Sequence, residues 1–367
     1  MKIAVLKEIK KDEYRVGLTP ASAREYLAAG HTVWFEPDAG EGSGFSDAAY
    51  EKAGCVPKSR AQIFGEADMI VKVKEPLPEE YELLREGLLL YTYLHLAANP
   101  KLAEVLLRKK VSAIAYETVM EADRSLPLLK PMSEIAGRLA VQEGAKYLEK
   151  PFGGRGILLG GVPGIQRGKI AILGGGVVGT NACKIAVGLG AEVTLLDVSA
   201  TRLAYLDDIF GSSITTLYST EANIESALSE ADLVIGSVLL PGAAAPKLIR
   251  REHLGLMKKG AVIVDVAVDQ GGCCETTRPT FHSDPIFLVD GIVHYCVANM
   301  PGVVALSSTQ ALTSVTNRYG LLIAKHGLEK AAELSPAIRS GVNTHRGRLT
   351  HQAVAGALGM QERFTAM

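Results

Sequence analysis

The sequence lacks the long apolar runs and the leader segment that mark membrane-bound or exported proteins. No apolar run in its 367 residues approaches the roughly 20 that a membrane-spanning helix needs. At the N-terminus the apolar stretch Ile3–Leu6 meets Lys7 after four residues, which predicts a first β-strand and not a signal peptide. We therefore expect a protein that neither crosses a membrane nor enters the secretory route.

A disulfide framework and a marked charge of one sign are also missing. The five cysteines are odd in number and include a vicinal pair, Cys273–Cys274, but no C-x-x-C pair. This usage favours a reducing compartment, so we expect a cytoplasmic protein. The formal charge of −1 at pH 7 gives no indication of a nucleic-acid or anionic-membrane partner.

What the chain does have is an alternation of short apolar runs with amphipathic segments. The length allows two or three domains with full cores. We predict β-strands at Ile3–Leu6, His31–Glu36, Met69–Val73, Leu88–Leu94, Val111–Tyr116, Ile170–Leu173, Val193–Leu196, Ile214–Leu217, Leu233–Val238, Val262–Val266 and His294–Val297. We predict helices that include Pro100–Lys110, Ser133–Leu148, Ala200–Phe210, Glu221–Ser229, Lys247–Met257, Ser307–Gly327 and Leu349–Leu358. Such alternation predicts an α/β fold with doubly wound parallel sheets, and the glycine-rich Gly153–Gly164 is interpreted as a connector, with a short hairpin as one option.

The most informative stretch is Lys169–Asp197. The apolar run Ile170–Leu173 is followed at once by Gly174-x-Gly176-x-x-Gly179, a helical pattern and a second apolar run that ends on Asp197. The three glycines serve a tight turn, close approach of a pyrophosphate and close contact of helix and strand. The pyrophosphate would face the N-terminus of the helix, and Asp197 would accept hydrogen bonds from a ribose and repel a 2′-phosphate. The stretch predicts a dinucleotide site with a preference for NAD.

Polar side chains follow the predicted strands at the edge where ligands bind in open parallel sheets. In the first half of the chain these are Arg15, Lys74 and His95. In the second half they are the glycine loop, Asp197, Ser219, Leu239, Asp269 and Asn299. We expect the two edges to face each other across a cleft.

Each of four candidate residues also has a purely structural interpretation. Arg15 could pair with Glu8 or Glu13, Lys74 could be an exposed charge at a strand end, His95 could be a core histidine, and Asp269 could cap a turn. One small anionic substrate would explain all four together, because Arg clamps a carboxylate with two hydrogen bonds, Lys supplies a point charge and His titrates near neutrality. The remaining histidines and the Cys273–Cys274 pair show no metal-ligand spacing, so we predict no metal.

Motifs spread over nearly the whole chain resemble those of the L-alanine dehydrogenase family. They are KEIKKDEYRVGLTP (Lys7–Pro20), KVKEP (Lys72–Pro76), YLHLAA (Tyr93–Ala98), AYETV (Ala115–Val119), PMSEIAGRLA (Pro131–Ala140), GGRGILLGGVPG (Gly153–Gly164), DVAVDQGGC (Asp265–Cys273) and YCVANMPG (Tyr295–Gly302). The resemblance implies two Rossmann-like domains separated by a cleft. It implies a substrate domain at 1–128 plus 307–367 and an NAD-binding domain at 129–306, and a homohexamer that interconverts L-alanine with pyruvate and ammonia using NAD.

The same resemblance assigns roles to residues. Arg15 and Lys74 match the residues that bind the substrate carboxylate and carbonyl, His95 matches the general acid/base, and Asp269 matches a second proton-handling residue. Arg202 stands where the family often has a basic residue near the adenosine ribose. The residues implied for NAD are Ser133, Gly174, Gly176, Val177, Val178, Gly179, Asp197, Arg202, Ser219, Val238, Leu239, Val266, Ala267, Val268, Asp269, Val297, Ala298, Asn299 and Met300.

Three other functions share parts of this pattern. The soluble NAD(H)-binding component of proton-translocating transhydrogenase has the same two-domain build. A saccharopine- or lysine-type dehydrogenase would need a longer substrate pocket. A binding protein or NAD sensor could keep the fold without catalysis. Intact Arg15, Lys74, His95 and Asp269 favour an enzyme with a substrate site.

Overall fold

The computed structural model describes residues 1–238 and 245–367. The chain forms two compact units, one made of Met1–Met132 with Gly302–Met367 and one made of Ser133–Pro301. Within the described ranges, no helix combines the length and the apolar character that crossing a bilayer requires. Both units are built on mostly parallel sheets flanked by helices, which confirms the predicted α/β fold.

The β-strands of the described residues lie where most of the apolar runs predicted them. They are β1 (Lys2–Val5), β2 (Thr32–Phe35), β3 (Val56–Pro57), β4 (Met69–Val71), β5 (Leu89–Thr92), β6 (Ser112–Ala115), β7 (Lys169–Leu173), β8 (Glu192–Asp197), β9 (Thr215–Tyr218), β10 (Leu233–Gly236), β11 (Val262–Asp265), β12 (Ile286–Val289), β13 (Ile292–Tyr295), β14 (Val342–His345) and β15 (Arg348–Leu349).

The α-helices follow the amphipathic segments between these strands. They are α1 (Pro20–Ala28), α2 (Asp47–Ala53), α3 (Arg60–Glu66), α4 (Pro100–Arg108), α5 (Lys130–Tyr147), α6 (Val177–Gly188), α7 (Ala200–Phe210), α8 (Glu221–Glu230), α9 (Ala305–His326), α10 (Leu328–Leu334), α11 (Pro336–Gly341) and α12 (Gln352–Leu358). Several begin with the local signals expected of them. Thr19 caps α1 ahead of Pro20, and Asn99 caps α4 ahead of Pro100, which satisfies amides that a helix start leaves unpaired.

The first unit is organised on an eight-stranded sheet. Its strand order is β15-β14-β6-β5-β4-β1-β2-β3. The pairs from β6 to β3 are parallel, whereas β14 and β15 run antiparallel at one edge. Because β1, β4 and β5 are parallel neighbours, the loops that follow them leave the sheet at the same edge.

Alternate residues of these strands point to opposite faces of the sheet. On one face, Ala4, Ile70 and Leu90 belong to a core cluster with residues of α3, α4 and α12. On the other face, Tyr91 donates a hydrogen bond of 3.0 Å to the carbonyl of Thr316 in α9. The C-terminal part of the chain therefore contributes to both faces of this sheet.

The second unit contains a seven-stranded sheet in the order β12-β13-β11-β10-β7-β8-β9. All neighbouring pairs are parallel except β12 with β13. One face is covered by a cluster of buried residues that includes Leu173, Leu228 and Ile263. The carboxyl ends of six parallel strands lie along one edge, as in a dinucleotide-binding fold.

Two sequence interpretations in this unit are wrong. The segment Lys247–Met257 forms only a short 3-10 turn at Arg251–Gly255. The amides of Leu248 and Ile249 donate to the carbonyl of Cys273 instead of to a helix, so long-range pairing replaces helical hydrogen bonds. The Gly153–Gly164 segment contains no hairpin, because amides at its start bond to Leu148, Glu149 and Gly260.

Candidate active site

Arg15, Lys74 and His95 follow three neighbouring strands of the first unit, β1, β4 and β5. Since the three strands are parallel and adjacent, these residues stand in loops at the same edge of the sheet. The sequence predicted this placement because each residue follows a predicted strand and ligands bind at the carboxyl ends of parallel strands. Each side chain has a distinct environment there.

Arg15 is buried and paired with Glu13. Its Nε donates to Glu13 Oε1 at 2.7 Å and its Nη2 to Glu13 Oε2 at 2.6 Å, while Nη1 donates to Met132 Sδ at 3.0 Å. Burial acts to lower the pKa of Arg15, but the charge and hydrogen bonds of Glu13 outweigh it and raise that pKa. The guanidinium therefore stays a cation, and of the two pairings that the sequence allowed the one with Glu13 is formed.

Lys74 is 9% exposed, so the interpretation as an exposed strand-end charge is wrong. Its backbone is clamped, because Glu8 Oε1 accepts from the amides of Val73 and Lys74 at 2.6 and 3.3 Å and Thr92 Oγ1 donates to its carbonyl at 2.9 Å. No ion pair or hydrogen bond of its ammonium occurs within residues 1–238 and 245–367. Burial and the nearby positive charge of Arg15 lower the pKa of Lys74.

His95 is exposed, so it is not a core histidine. Its backbone lies in the left-handed region at φ 47°, and its ring stacks on Tyr93 with 6.1 Å between centroids and 11° between planes. The Tyr93 hydroxyl donates to the carbonyl of Leu128 at 2.6 Å. The imidazole therefore rests on a fixed aromatic ring and is open to solvent.

Of the carboxylates near these residues, the sequence indicated Glu8 and Glu13 only as possible partners of Arg15 and did not single out Glu80 or Glu117. Glu8 and Glu80 each lie 3.1 Å from the buried Lys72 ammonium, and Glu117 accepts hydrogen bonds from the backbone of Leu94 and His95. Lys72 and Lys74 lie two residues apart in KVKEP, so strand alternation alone would put both side chains on the same face. Their different partners could be established only from the structure.

In the second unit the glycine loop has the geometry that the motif predicts. Gly174 has φ +100°, a Cβ on Gly179 would stand 1.9 Å from the Gly174 carbonyl oxygen, and a Cβ on Gly176 would meet nothing within 4 Å. The first and third glycines are therefore required by the protein itself. The open space at Gly176, at the N-terminus of the twelve-residue α6, fits the pyrophosphate of a dinucleotide.

Because a Cβ at Gly176 would meet no protein atom, we can predict the effect of Gly176→Ala on cofactor binding alone. The variant should fold with an unchanged Tm, because no atom opposes the new methyl group, but its Kd for NADH should rise at least ~10-fold, because the methyl group occupies the approach to the pyrophosphate. Fluorescence titration and thermal melting measure the two quantities. Gly188→Ala is the matched control, because Gly188 is the last residue of α6 and a Cβ there would likewise meet nothing within 4 Å. An NADH Kd that is equal in the two variants would contradict the prediction.

Asp197 and Arg202 lie beside this loop. Asp197 is the last residue of β8, and its carboxylate accepts from the amides of Gly175 at 2.7 Å and Ser199 at 2.8 Å. Arg202 donates through Nε to the Gly175 carbonyl and through Nη2 to Thr180 Oγ1, both at 2.5 Å. Asp197 therefore stabilises the glycine loop, and the Arg202 guanidinium contacts both this loop and α6.

The other residues implied for the cofactor lie along the same edge of the sheet, with one exception on α5. Ser219 follows β9, Val238 follows β10, Val266, Ala267, Val268 and Asp269 follow β11, and Val297, Ala298, Asn299 and Met300 follow β13. Ser133 lies in the first turn of α5, one turn before Gly137, whose position against the Val178 carbonyl leaves no room for a Cβ. Leu239 falls outside the described residues.

Asp269 is exposed and does not cap its turn. Its carboxylate has no hydrogen-bond partner in the described part of the chain. The buried Asp265 caps this segment instead. Its carboxylate accepts from the amides of Ala267 and Cys273 at 3.1 and 2.9 Å and from Thr277 Oγ1 at 2.8 Å. Burial raises the pKa of Asp265 despite these donors.

Comparisons with known proteins agree with this arrangement. The profile of the alanine dehydrogenase/PNT N-terminal domain matches residues 4–136, and that of the C-terminal domain matches residues 140–352. The chain is 56% identical to the alanine dehydrogenase of Bacillus subtilis, over 98% of this chain and 96% of that protein. It is 55% identical to the alanine dehydrogenase of Methanococcus maripaludis, over 97% of this chain and 96% of that protein.

Solved structures support the same relationship. An L-alanine dehydrogenase matches with a TM-score of 0.95 and 54% identity, covering 98% of this chain and 99% of the other. A transhydrogenase from Sinorhizobium meliloti matches with a TM-score of 0.83 and 25% identity, covering 96% and 100%. These matches confirm the resemblance inferred from the motifs, and the chain belongs to the alanine dehydrogenase/PNT family.

Proposed function

We propose that this chain is an NAD-dependent L-alanine dehydrogenase, which catalyses the reversible oxidative deamination of L-alanine to pyruvate and ammonia. One observation carries the proposal: a chain 55–56% identical to curated alanine dehydrogenases over nearly its full length presents Arg15, Lys74 and His95 at one edge of a sheet. We further propose that the first unit binds the substrate and that the second binds NAD.

The experiment is an assay of NADH oxidation by pyruvate and ammonia, followed by absorbance. Oxaloacetate, glyoxylate and other amines serve as comparison substrates. We expect oxidation that depends on both pyruvate and ammonia. Oxidation only with a longer oxo acid would indicate another amino-acid dehydrogenase, and NADH binding without any oxidation would favour an NAD sensor or a transhydrogenase-like component.

In the first unit, Arg15 and Lys74 would hold the two oxygen-bearing groups of pyruvate. Glu13 takes the Nε proton and one Nη2 proton of Arg15, so the donors that Arg15 would offer to the carboxylate are the remaining protons of Nη1 and Nη2. The Lys74 ammonium is nearly buried, so its charge acts in a medium of low dielectric and polarises the oxygen on the substrate carbon more strongly than it would in water.

His95 would move the protons of the reaction. L-alanine must lose a proton from its amine before the Cα–H bond can break, and the iminium product must then take up water and release ammonia. An imidazole can accept a proton at one ring nitrogen and donate one from the other, so it can take up and return these protons. Its exposed position over Tyr93 leaves the ring accessible to substrate or water.

In the second unit, the glycine loop and the strand-end residues would hold NAD. When bound, NAD supplies the acceptor for the hydride that leaves the alanine Cα. The residues we propose for it are those named above, from Ser133 to Met300. Asp197 would repel a 2′-phosphate, and Arg202 is already engaged with Gly175 and Thr180, so NADH should bind more tightly than NADPH.

Asp269 would hold the water or ammonia that reacts with the substrate. Its carboxylate is exposed and has no partner among the described residues, so it is available to such a ligand. Asp269→Asn should lower kcat about 10²-fold or more, as loss of a proton-handling group does, while NADH should still bind. Steady-state kinetics and NADH titration test this, with the exposed Asp208→Asn of α7 as control, and normal turnover in Asp269→Asn would contradict the role.

The lowered pKa of Lys74 predicts a pH dependence of substrate binding. Binding of an anion requires the ammonium form, which is present below the pKa and is lost as the pH rises through it. Because that pKa lies below the ordinary 10.5, inhibition by oxamate, a pyruvate analogue of constant charge, should weaken at alkaline pH before a typical lysine would titrate. Arginine stays charged at alkaline pH, so the oxamate inhibition constant of Lys74→Arg should not change with pH in this range. An equally steep rise of that constant with pH in the wild type and in Lys74→Arg would contradict the assignment.

Assembly and cellular location are proposed on resemblance. We propose a cytoplasmic homohexamer that serves amino-acid catabolism. Sedimentation equilibrium should give about six times the chain mass of 39.0 kDa, and a monomer would contradict the proposed assembly.

A further inference from the structure

The backbone of His95 has a conformation that residues other than glycine rarely adopt. Its φ and ψ are 47° and 39°, in the left-handed region where an L side chain is strained. Such conformations persist only where the surrounding structure imposes them, and they cluster at functional sites. The residue that imposes this one can be identified from its hydrogen bonds.

Glu117 binds the two successive amides that lead into this turn. It lies two residues after the end of β6, the strand that pairs with β5. Its Oε1 accepts from the amide of His95 at 2.6 Å and from that of Leu94 at 3.2 Å, and its Oε2 accepts from Leu94 at 3.2 Å. Two successive amides therefore point to a single carboxylate, an arrangement that backbone anion sites share.

The left-handed turn decides where the imidazole goes. Leu94 and Leu96, on either side of His95, are 0% and 1% exposed. His95 itself is exposed, with its ring parallel to Tyr93. A turn at His95 lets the chain bury both neighbours while the imidazole stands outside the core, so the carboxylate that stabilises the turn also sets the position of the ring.

We propose that Glu117 is a positioning residue for His95: its carboxylate holds the His95 backbone in the left-handed conformation that places the imidazole over Tyr93. Glu117 acts through the backbone and does not touch the substrate. This inference rests on the proposed role of His95 in proton transfer. It also gives AYETV, a motif otherwise without a function, a place in the reaction.

The test is a double-mutant cycle with His95→Ala and Glu117→Gln. Glutamine keeps one acceptor oxygen but loses the charge and the second oxygen, so we expect kcat to fall by roughly 10-fold. Glu117→Ala should cost about 100-fold, the scale of misplacing a catalytic group by 1 Å. The KM for pyruvate and the Kd for NADH should stay unchanged in Glu117→Gln, because neither ligand is held by His95's backbone. A turn with a purely structural role would change the Tm without this selective loss of kcat.

The cycle isolates the coupling between the two residues. In the His95→Ala background there is no imidazole left to place, so Glu117→Gln should cause no further loss of kcat. Asp68→Asn is the matched control, since Asp68 accepts a backbone hydrogen bond of 2.7 Å from Lys2 at the opposite edge of the same sheet, where β4 and β1 begin. It should leave kcat unchanged in both backgrounds.

The outcomes separate this inference from the proposed function. Wild-type kcat in Glu117→Gln, or an equal loss with and without His95, would overturn the positioning role while leaving His95 as the acid/base. Full activity of His95→Ala would overturn the role of His95 itself. If Glu117→Ala fails to fold, Glu117→Gln with a normal melting curve still decides the question.

Discussion

Replacing His95 by alanine should lower kcat for pyruvate amination by about 10²- to 10⁴-fold, the contribution that a positioned acid/base makes. The Kd for NADH should not change, because His95 lies in the first unit and the residues proposed for NADH lie in the second. The Tm should not fall either, because the imidazole is exposed and its removal opens no cavity in the core. His95→Ala therefore separates chemistry from cofactor binding and from folding.

The measurement combines steady-state kinetics, NADH titration and thermal melting. His326→Ala, which removes an exposed histidine at the end of α9, is the matched control and should behave as the wild type. Free imidazole should restore part of the kcat of His95→Ala, because the space it leaves is open to solvent. Normal turnover in His95→Ala would exclude His95 as the proton carrier.

Replacing Arg15 by lysine should raise the KM for pyruvate by about 10- to 100-fold. Lysine keeps the positive charge but loses the second of two parallel donors, and a charge-assisted hydrogen bond contributes about 1.5–3 kcal/mol. The kcat should change less than KM, since the proton-transfer group is intact. Kinetics with pyruvate as the varied substrate test this, and Arg24→Lys on the exposed face of α1 is the control.

A truncation of the same residue should mainly affect folding. Arg15→Ala removes the guanidinium whose hydrogen bonds the Glu13 carboxylate accepts, and the Glu13 side chain is 0% exposed. Breaking a buried pair in this way costs about 3–5 kcal/mol of unfolding free energy, measured by urea denaturation. The double variant with Glu13→Gln should recover part of that loss. Arg15→Ala with the stability of the wild type would show that the pair is not a stabilising contact.

The glycine loop could be predicted from the sequence because its requirements are local. The left-handed φ of Gly174 and the contact of Gly179 with the Gly174 carbonyl both follow from residues within one turn of each other. The strand-end placement of Arg15, Lys74 and His95 could be predicted too, because parallel strands deliver their following loops to one edge. Both inferences needed only short segments and a topological rule.

Elsewhere the local pattern was overridden by contacts distant in sequence. The apolar spacing of Lys247–Met257 indicated a helix, but Ile249 pairs with Cys274, and only Arg251–Gly255 forms a short 3-10 turn. The strand β14 was missed because its sequence VNTH has only one apolar residue, and β15 was missed because two residues are too few to show a pattern. The pairing of β14 with β6 depends on the return of the C-terminal segment to the first unit.

The sequence by itself determined the α/β fold, the dinucleotide loop and the edge of the sheet where the reactive side chains stand. Only the tertiary structure decided which carboxylates hold those side chains: Glu13 rather than Glu8 for the Arg15 guanidinium, Glu8 for the Lys74 backbone and Glu117 for the His95 backbone. The reason is physical. Helix and strand periods are written in neighbouring residues, whereas a hydrogen bond depends on a distance through space, and Glu117 comes within 2.6 Å of the His95 amide only after β5 and β6 have paired.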